Sequence, residues 1–372
     1  MDAAGRRGVM SEVRKLDVAA AATLRHPDEL IARGLAATQD RVVLEDVAAR
    51  YAIALTPAVV ALIDPTDPHD PIARQYVPRA EELDALPIER ADPIGDAAHS
   101  PVEGIVHRHR DRVLFKPVHV CAVYCRFCFR RESVGPGKDN ALSTEATTKA
   151  LDYIRTHPEI WEVIFTGGDP LMLSPRRLAD IMAALGSIDH VKIIRFHTRL
   201  PVADPERITP ALVRALTVPR KTVWMALHAN HPRELSEAAR AACARIIDAG
   251  IPMVSQSVLL SGVNDDVDTL EALMRGFVEC RIKPYYLHHG DLAPGTAHLR
   301  TTLEAGQALL RELRGRVSGL CQPHYVLDIP GGYGKAPVGP NYLFTGDGSD
   351  SKSRYRVADY CGDLHAYPPP GA

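Results

Sequence analysis

An α/β fold built on a parallel sheet is what the sequence predicts, and three observations predict it. From about residue 110, short β-branched or aromatic runs alternate with amphipathic segments of helical period. The helical segments carry their own start and stop signals. The residues best suited to chemistry recur where a strand run gives way to a loop.

The elements follow in order. The run "RVLFKPVHV" (112–120) is the first strand of the series, and "STEATTKALDYIRT" (143–156) its helix. "EVIFTGG" precedes "SPRRLADIMAALG", where Ser174 is suited to the N-cap and Pro175 to the first helical position. Leu178, Ile181, Met182 and Leu185 fall on one face of that helix. "VKIIRFHT" precedes "TPALVRAL", with Thr209 and Pro210 repeating the cap logic. "KTVWMALHA" precedes "SEAARAACARIIDAG", which ends at Gly250. "PMVSQSVLL" precedes "DVDTLEALMRGFVEC", and "KPYYLHH" precedes "TLEAGQALLRELRGRV". "HYVLDI" closes the series. Strands separated by helices run parallel with the helices covering them. Six βα repeats fall short of the eight that close a TIM barrel. The expected fold is therefore a partial (β/α)6 TIM-type barrel, an open crescent with its site at the C-terminal ends of the strands.

Upstream, "HPDELIARGLAAT" and "VLEDVAARYAIAL" read as helices. The Pro- and Asp-rich runs "LIDPTDPHDPIARQYVP" and "LPIERADPIGDAAHSPVEG" read as loop laid over a surface. This divides the chain into an N-terminal helical and loop extension (1–105), the partial barrel (106–330) and a C-terminal segment (331–372).

Composition narrows the classes. In 372 residues, 46% hydrophobic and 24% charged, a large core is affordable, and a net charge of -2 gives no reason to expect nucleic acid or an anionic membrane as partner. The start "MDAAGRRGVMSEVRKLDVAA" has no apolar run before a cleavage site, and "YAIALTPAVVALI" is short and broken by Pro57. With seven cysteines and no such leader, the expected setting is a reducing cytoplasm. Cys243, Cys280, Cys321 and Cys361 are scattered and read as buried apolar thiols.

Cys121, Cys125 and Cys128 cluster in "CAVYCRFCFRR". Structural zinc takes four protein ligands, and the paired layout that marks it is absent. A [4Fe–4S] cluster takes one thiolate per iron, so three thiolates leave one iron open to a ligand that is not protein. This C-x₃-C-x₂-C spacing after a barrel strand resembles the radical S-adenosylmethionine enzymes. There the open iron is chelated by S-adenosylmethionine, whose cleavage releases a 5′-deoxyadenosyl radical. Phe127, before the last cysteine, fits that pattern. So does "TGGDP", whose Gly167, Gly168 and Asp169 match the run that receives the methionyl ammonium. Seen alone, the two glycines are a tight strand-to-loop turn.

"DIPGGYGKAP" places Lys335 behind three glycines. A P-loop is excluded, since Ala336 follows the lysine; a Schiff-base lysine for pyridoxal phosphate and a plain surface lysine remain. The combination resembles the lysine 2,3-aminomutase family over roughly residues 50–345. The likeness is carried by "HRHRDRVLF", "HTRLPV", "NHPRE", "SQSVLLSGVND", "RIKPYYLHHGDLAPGTAHLRT" and "LDIPGGYGKAPVGPNY" besides the cysteine and glycine runs.

The resemblance implies an isomerase that interconverts L-α-lysine and β-lysine by radical 1,2-amino migration. Its cofactors would be a [4Fe–4S] cluster, S-adenosylmethionine and pyridoxal 5′-phosphate. It implies that Lys335 holds the pyridoxal aldehyde. Arg108, Arg112 and Gln256 then lie at that cofactor, though His109 stands where the family usually has tyrosine. Arg130 would pair with the substrate carboxylate, and Asp291 and Asp328 would receive the distal ammonium. Arg131 reads as a solvated neighbour. A reducing donor such as flavodoxin or ferredoxin and a homo-oligomer are implied partners. No structural zinc is expected, because the tail has only Cys361 and Asp266 stands where a further zinc cysteine would be. The rivals are the relative that prepares β-lysine for elongation factor P, an aminomutase acting on another amino acid, and a plain iron–sulfur electron carrier.

Overall fold

The computed structural model describes residues 22–135, 140–345 and 355–369. The opening stretch examined above for a leader lies outside the described residues.

Seven strands run parallel in chain order: β2 (Arg112–Val118), β3 (Glu162–Gly167), β4 (Ile193–Thr198), β5 (Thr222–His228), β6 (Met253–Val258), β7 (Ile282–His288) and β8 (His324–Asp328). They are the strands the alternating pattern marks. An antiparallel strand extends each edge: β1 (Ile105–His109) beside β2, and β9 (Lys335–Pro337) beside β8. Neither was expected. Each is short, and β9 follows a glycine run that carries no strand pattern. A separate three-stranded antiparallel sheet, β10 (Leu343–Thr345), β11 (Tyr355–Ala358) and β12 (Leu364–Tyr367), forms the C-terminal end.

Helices α1 (Pro27–Ala32) and α2 (Arg41–Arg50) belong to the N-terminal extension. Six helices make the crossovers: α3 (Thr144–Thr156), α4 (Pro175–Gly186), α5 (Pro210–Ala215), α6 (Glu237–Asp248), α7 (Val267–Glu279) and α8 (Leu303–Arg316). Their starts follow the expected chemistry. Ser174 Oγ accepts from Arg177 N–H and Thr209 Oγ1 from Leu212 N–H, satisfying donors that a helix leaves open. Asp266 has the same task, accepting from Thr269 N–H at 2.8 Å at the start of α7.

Strand register sorts the two faces of the sheet. Phe115, Phe165, Phe196 and Met225 lie side by side on β2 to β5, all buried. Phe165 stacks on Phe196 at 4.4 Å between centroids and meets Phe115 edge-on at 5.3 Å. This row belongs to the main core, together with Leu178, Ile181 and Leu185 of α4. One residue earlier on the same strands, Leu114, Ile164 and Arg195 face the opposite way and line a cavity. The sheet also curls until its edges approach. A Cβ added to Gly334, just ahead of β9, would lie 3.2 Å from His109 Cε1 on β1.

Candidate active site

The cavity inside the curl holds about 600 Å³, the scale of a small-molecule site. Its wall includes every residue that the sequence marked for a role: Cys121, Cys125, Phe127, Cys128 and Arg130 from the loop after β2; Gly167, Gly168 and Asp169 after β3; Gln256; Asp291 and Asp328; Arg108 and Arg112; and Lys335.

The cysteine loop is clamped from outside by the N-terminal extension. Arg126 N–H donates to Gln75 O at 2.8 Å and Tyr124 N–H to Ala54 O at 3.2 Å. The Glu82 carboxylate, fully buried, accepts from Arg126 Nε at 2.9 Å and from Arg131 Nη2. Arg131 also lies over the Tyr51 ring, 3.5 Å from its centroid. Arg131 is therefore buried in the clamp, which corrects its reading as a solvated neighbour. The Pro/Asp-rich runs are loop and short helical turns, as expected, and they pack over the site: they supply Gln75 and Asp96, with Glu82 in the segment between them.

Phe127 packs with Leu260, Val263 and Leu299 and sits 5.3 Å from the Arg199 guanidinium. Arg199 Nη1 donates to Glu234 at 2.7 Å and to Tyr76 Oη at 2.6 Å. The arginine of "HTRLPV" and the glutamate of "NHPRE" are thus one buried ion pair beneath the cysteine loop.

The glycine pair is explained by packing. Gly167 has φ +104°, and a Cβ on it would lie 2.7 Å from Val118 O. Asp169 accepts from Thr198 Oγ1 at 2.7 Å and from the N–H groups of Leu171, Arg199 and Leu200 at 2.9–3.1 Å. Its acceptor positions are filled by the chain itself.

At the far wall Lys335 lies directly across the ladder from Asp328. Its Nζ donates to both carboxylate oxygens at 2.5 and 2.6 Å, and His288 Nδ1 stands 3.4 Å from the same group. Burial works against the Asp328 charge, but His288 and the Lys335 ammonium outweigh it and hold the carboxyl well below the usual carboxylate range. Asp291 is its opposite. Burial, reinforced by the Asp328 charge, pushes it up to about 7. Lys335 and Arg130 act on it in the other direction, so all four groups share one field.

Arg130 Nη2 donates to Asp96 at 2.9 Å and Nη1 to Thr166 Oγ1 at 3.4 Å, while its Nε is buried without a partner. Arg108 Nη2 donates to Ile94 O at 2.7 Å, and its Nε is also buried and unpaired. Arg112 pairs with Asp111 at 2.7 Å. Gln256 lies in register with His228, whose buried Nε2 has no partner; His197 Nε2 has none either. Asp96, His197, His228 and His288 are the residues that sequence reading missed. The signal for the histidines was their place at the strand ends. Asp96 had none, since it sits among other aspartates in a loop.

Comparison with known proteins agrees with this geometry. The profile of the Radical SAM superfamily matches residues 115–273, and the profile described as Lysine-2,3-aminomutase matches residues 310–372. The chain is 42% identical to the L-lysine 2,3-aminomutase of Clostridium subterminale over 86% of this chain and 75% of that one. The chain belongs to the lysine 2,3-aminomutase family of radical SAM proteins. Among its relatives are the L-lysine 2,3-aminomutase of Methanococcus maripaludis, 40% identical over 86% of this chain and 73% of that one. The Glutamate 2,3-aminomutase of Clostridioides difficile is 35% identical over 81% of this chain and 70% of that one.

The family implies a [4Fe–4S] cluster, S-adenosylmethionine and pyridoxal phosphate, and the residues fit them. Among the described residues, no three His, Cys, Asp or Glu side chains converge on one ion position. A cubane cluster asks for a different arrangement. Each thiolate takes its own iron, so the ligands stand apart around a shared volume. All three cysteines line one cavity. Burial raises all three thiol pKa values, Cys125 to about 11, so an iron charge is what would draw the thiolates out. The fit for the pyridoxal group rests on orphaned nitrogens. Arg108 and His228 line the cavity, and each has a buried nitrogen, Nε and Nε2, without a partner, the kind of group an anionic ligand would satisfy.

Of the four scattered cysteines, Cys243 and Cys321 are buried as expected. Cys280 is half-buried and Cys361 exposed, because the β10–β12 sheet that carries the latter has little packed over it.

Proposed function

We propose that this chain is an isomerase that interconverts L-α-lysine and β-lysine by moving an amino group between neighbouring carbons. The observation that carries the reading is one cavity lined both by a guanidinium with an unpaired buried Nε, on Arg130, and by the two carboxylates Asp291 and Asp328. A substrate with a carboxylate at one end and an ammonium at the other matches that wall. A second carboxylate brought to the aspartates would meet like charge and lose its hydration without return. The relatives named L-lysine 2,3-aminomutase support the same substrate.

When bound, the cluster with S-adenosylmethionine and the pyridoxal group would supply a hydrogen-abstracting radical and a carrier for the migrating amine. The chain's own residues bind and orient. Cys121, Cys125 and Cys128 would hold three irons and leave the fourth to S-adenosylmethionine, which Phe127 and the Gly167–Gly168 backbone would border. Asp169 acts by fixing the loops after β3 and β4, since its oxygens are already filled. Lys335 would hold the pyridoxal aldehyde, with Arg108, Arg112 and Gln256 toward the phosphate. Arg130 and the two aspartates then pin both ends of lysine, so that its β-carbon alone is presented to the radical.

Several finer points belong to the same proposal. These are the division of the chain near residues 105 and 330, a low-potential donor of the flavodoxin or ferredoxin kind, and a cytoplasmic setting. Among the described residues no helix is long and apolar enough to cross a membrane. A homo-oligomer is supported by Leu343, Phe344, Leu364 and Tyr367, exposed apolar side chains grouped on the β10–β12 sheet.

The test is an anaerobic assay of the full chain, reconstituted with iron and sulfide, with L-lysine, dithionite, S-adenosylmethionine and pyridoxal phosphate. β-Lysine is the expected product by NMR. Rearrangement of a different amino acid with lysine untouched would overturn the substrate; a cluster bound by four thiolates would overturn the chemistry.

A further inference from the structure

We propose that Asp96, on the Asp92–Ser100 loop of the N-terminal extension, is a positioning residue that aims the substrate-carboxylate arginine and the cofactor-phosphate arginine together. The inference rests on the roles given above to Arg130 and Arg108 and adds the residue that makes those roles compatible.

The Asp96 side chain is only 10% exposed and has three cations around it. Oδ2 accepts from Arg130 Nη2 at 2.9 Å and faces Lys116 Nζ at 3.7 Å; Oδ1 accepts from Arg108 Nη2 at 3.2 Å. Burial opposes its charge, but Arg130, Lys116 and Arg108 outweigh burial and keep the carboxyl below its ordinary range. One carboxylate thus bridges an arginine of the cysteine loop to an arginine of the β1 edge.

The loop that carries Asp96 is held on both sides. The Asp92 carboxylate accepts from Asp96 N–H at 2.9 Å and Ala97 N–H at 2.8 Å, fixing the turn. Ile94 O takes a second bond from Arg108. Next to Asp96, Gly95 has φ +68°, and a Cβ on it would stand 2.5 Å from Gly332 N, within the glycine run that leads to Lys335. The loop therefore touches the substrate arginine, the phosphate arginine and the glycine run ahead of the cofactor lysine at once.

A guanidinium offers five N–H donors in one plane, so fixing one edge fixes the direction of the others. On Arg130, Asp96 takes Nη2, and the buried Nε remains for a ligand oxygen. One negative charge among three positive ones leaves the group net cationic, so Asp96 orients the arginines without cancelling their pull on an anion.

The experiment compares Asp96→Asn and Asp96→Glu with the wild type in the cluster-loaded full chain. It measures kcat and KM for L-lysine and, separately, the Kd for pyridoxal phosphate by fluorescence titration without substrate. Iron content and circular dichroism serve as folding controls. Asp96→Asn is expected to raise the lysine KM about tenfold or more, the scale of one charge-assisted hydrogen bond. It should raise the pyridoxal phosphate Kd at least about threefold by the same loss shared over a second arginine, with kcat within about threefold of wild type. Asp96→Glu keeps the charge and should fall between the two in both readouts. Unchanged KM and Kd in Asp96→Asn, or movement of only one of them, overturns the coupling. If Asp96→Asn does not fold, Asp96→Glu decides: wild-type KM and Kd together overturn the proposal, and raised values of both support it. Wild-type protein that neither binds pyridoxal phosphate nor turns over lysine overturns the site reading itself, and is seen before any variant is compared.

Discussion

The two ends of the cavity are built in opposite ways. At the cysteine end, three ligands lie within eight consecutive residues, and the rest of the chain serves to hold that loop still. Glu82, Gln75 and Ala54 of the N-terminal extension supply the clamp. At the lysine end, Lys335, Asp328, His288 and Asp291 come from β9, β8, β7 and the loop after it. Two separate short runs supply this end, one with Asp328 and Lys335 and one with His288 and Asp291, and bringing them together depends on strand register. Asp328 meets Lys335 because they are partners across the ladder, and His288 arrives from the neighbouring parallel strand. The first end is therefore vulnerable to loss of packing outside it, and the second to changes of charge within it.

Breaking the clamp gives the largest expected effect. Glu82→Ala leaves Arg126 and Arg131 buried with no carboxylate between them. Removing one partner of such a group costs about 3–5 kcal/mol. The expected outcome is a fall in melting temperature and near-complete loss of bound iron after anaerobic reconstitution, although no iron ligand has been touched. Pyridoxal phosphate binding should suffer far less in whatever fraction remains folded. Full iron retention in this variant would show that the cysteine loop does not need the extension.

The second effect belongs to the lysine end. Asp328→Asn removes a carboxylate that takes two bonds from Lys335 and has His288 Nδ1 3.4 Å away. Loss of kcat/KM for L-lysine by about 100-fold is expected, the scale of an unpaired charge in a buried site. Iron content and reductive cleavage of S-adenosylmethionine should stay near wild type. A loss of iron in this variant would contradict the independence of the two ends.

The difference between the ends also explains what was legible in the sequence. Period-two strands and capped helices were readable because each is specified within its own few residues, as with Ser174 over α4. The cysteines were readable for the same reason. β9 was not, since three residues after a glycine run carry no periodicity and become a strand only by pairing with β8. Glu82 and Asp96 were not, because an acidic residue in a polar loop looks solvated until tertiary structure brings arginines from far along the chain to it. Arg131 was misread by the same logic.

A smaller effect concerns pH, where Asp291 and Asp328 should part company. Asp291 is pushed up to about 7, so it is neutral below that pH and charged above it, while the distal ammonium of lysine is charged throughout. If the charged form is needed, kcat/KM rises with pH along a limb that bends near 7, with a slope of about tenfold per unit below the bend. Asp291→Asn should abolish the limb and leave a low, flat profile. Asp328 is held below its ordinary range and contributes no bend in this window. The same limb surviving in Asp291→Asn would assign it to another group.

The smallest effect tests the boundary between the ends. Arg130 belongs to the cysteine loop by sequence but serves the substrate end, and Lys116 stands 3.7 Å from the same Asp96 oxygen that Arg130 uses. Burial lowers the Lys116 pKa, with Arg130 acting in the same direction and Asp96 opposing both. Lys116→Met keeps the apolar stem and removes this third cation, while the Asp96–Arg130 bond at 2.9 Å stays in place. A long, weak contact next to a short one contributes little, so the lysine KM should change less than about threefold. A tenfold rise would mean that the substrate carboxylate is met by Lys116 as well as Arg130. The substrate end would then begin on β2 itself, ahead of the cysteine loop.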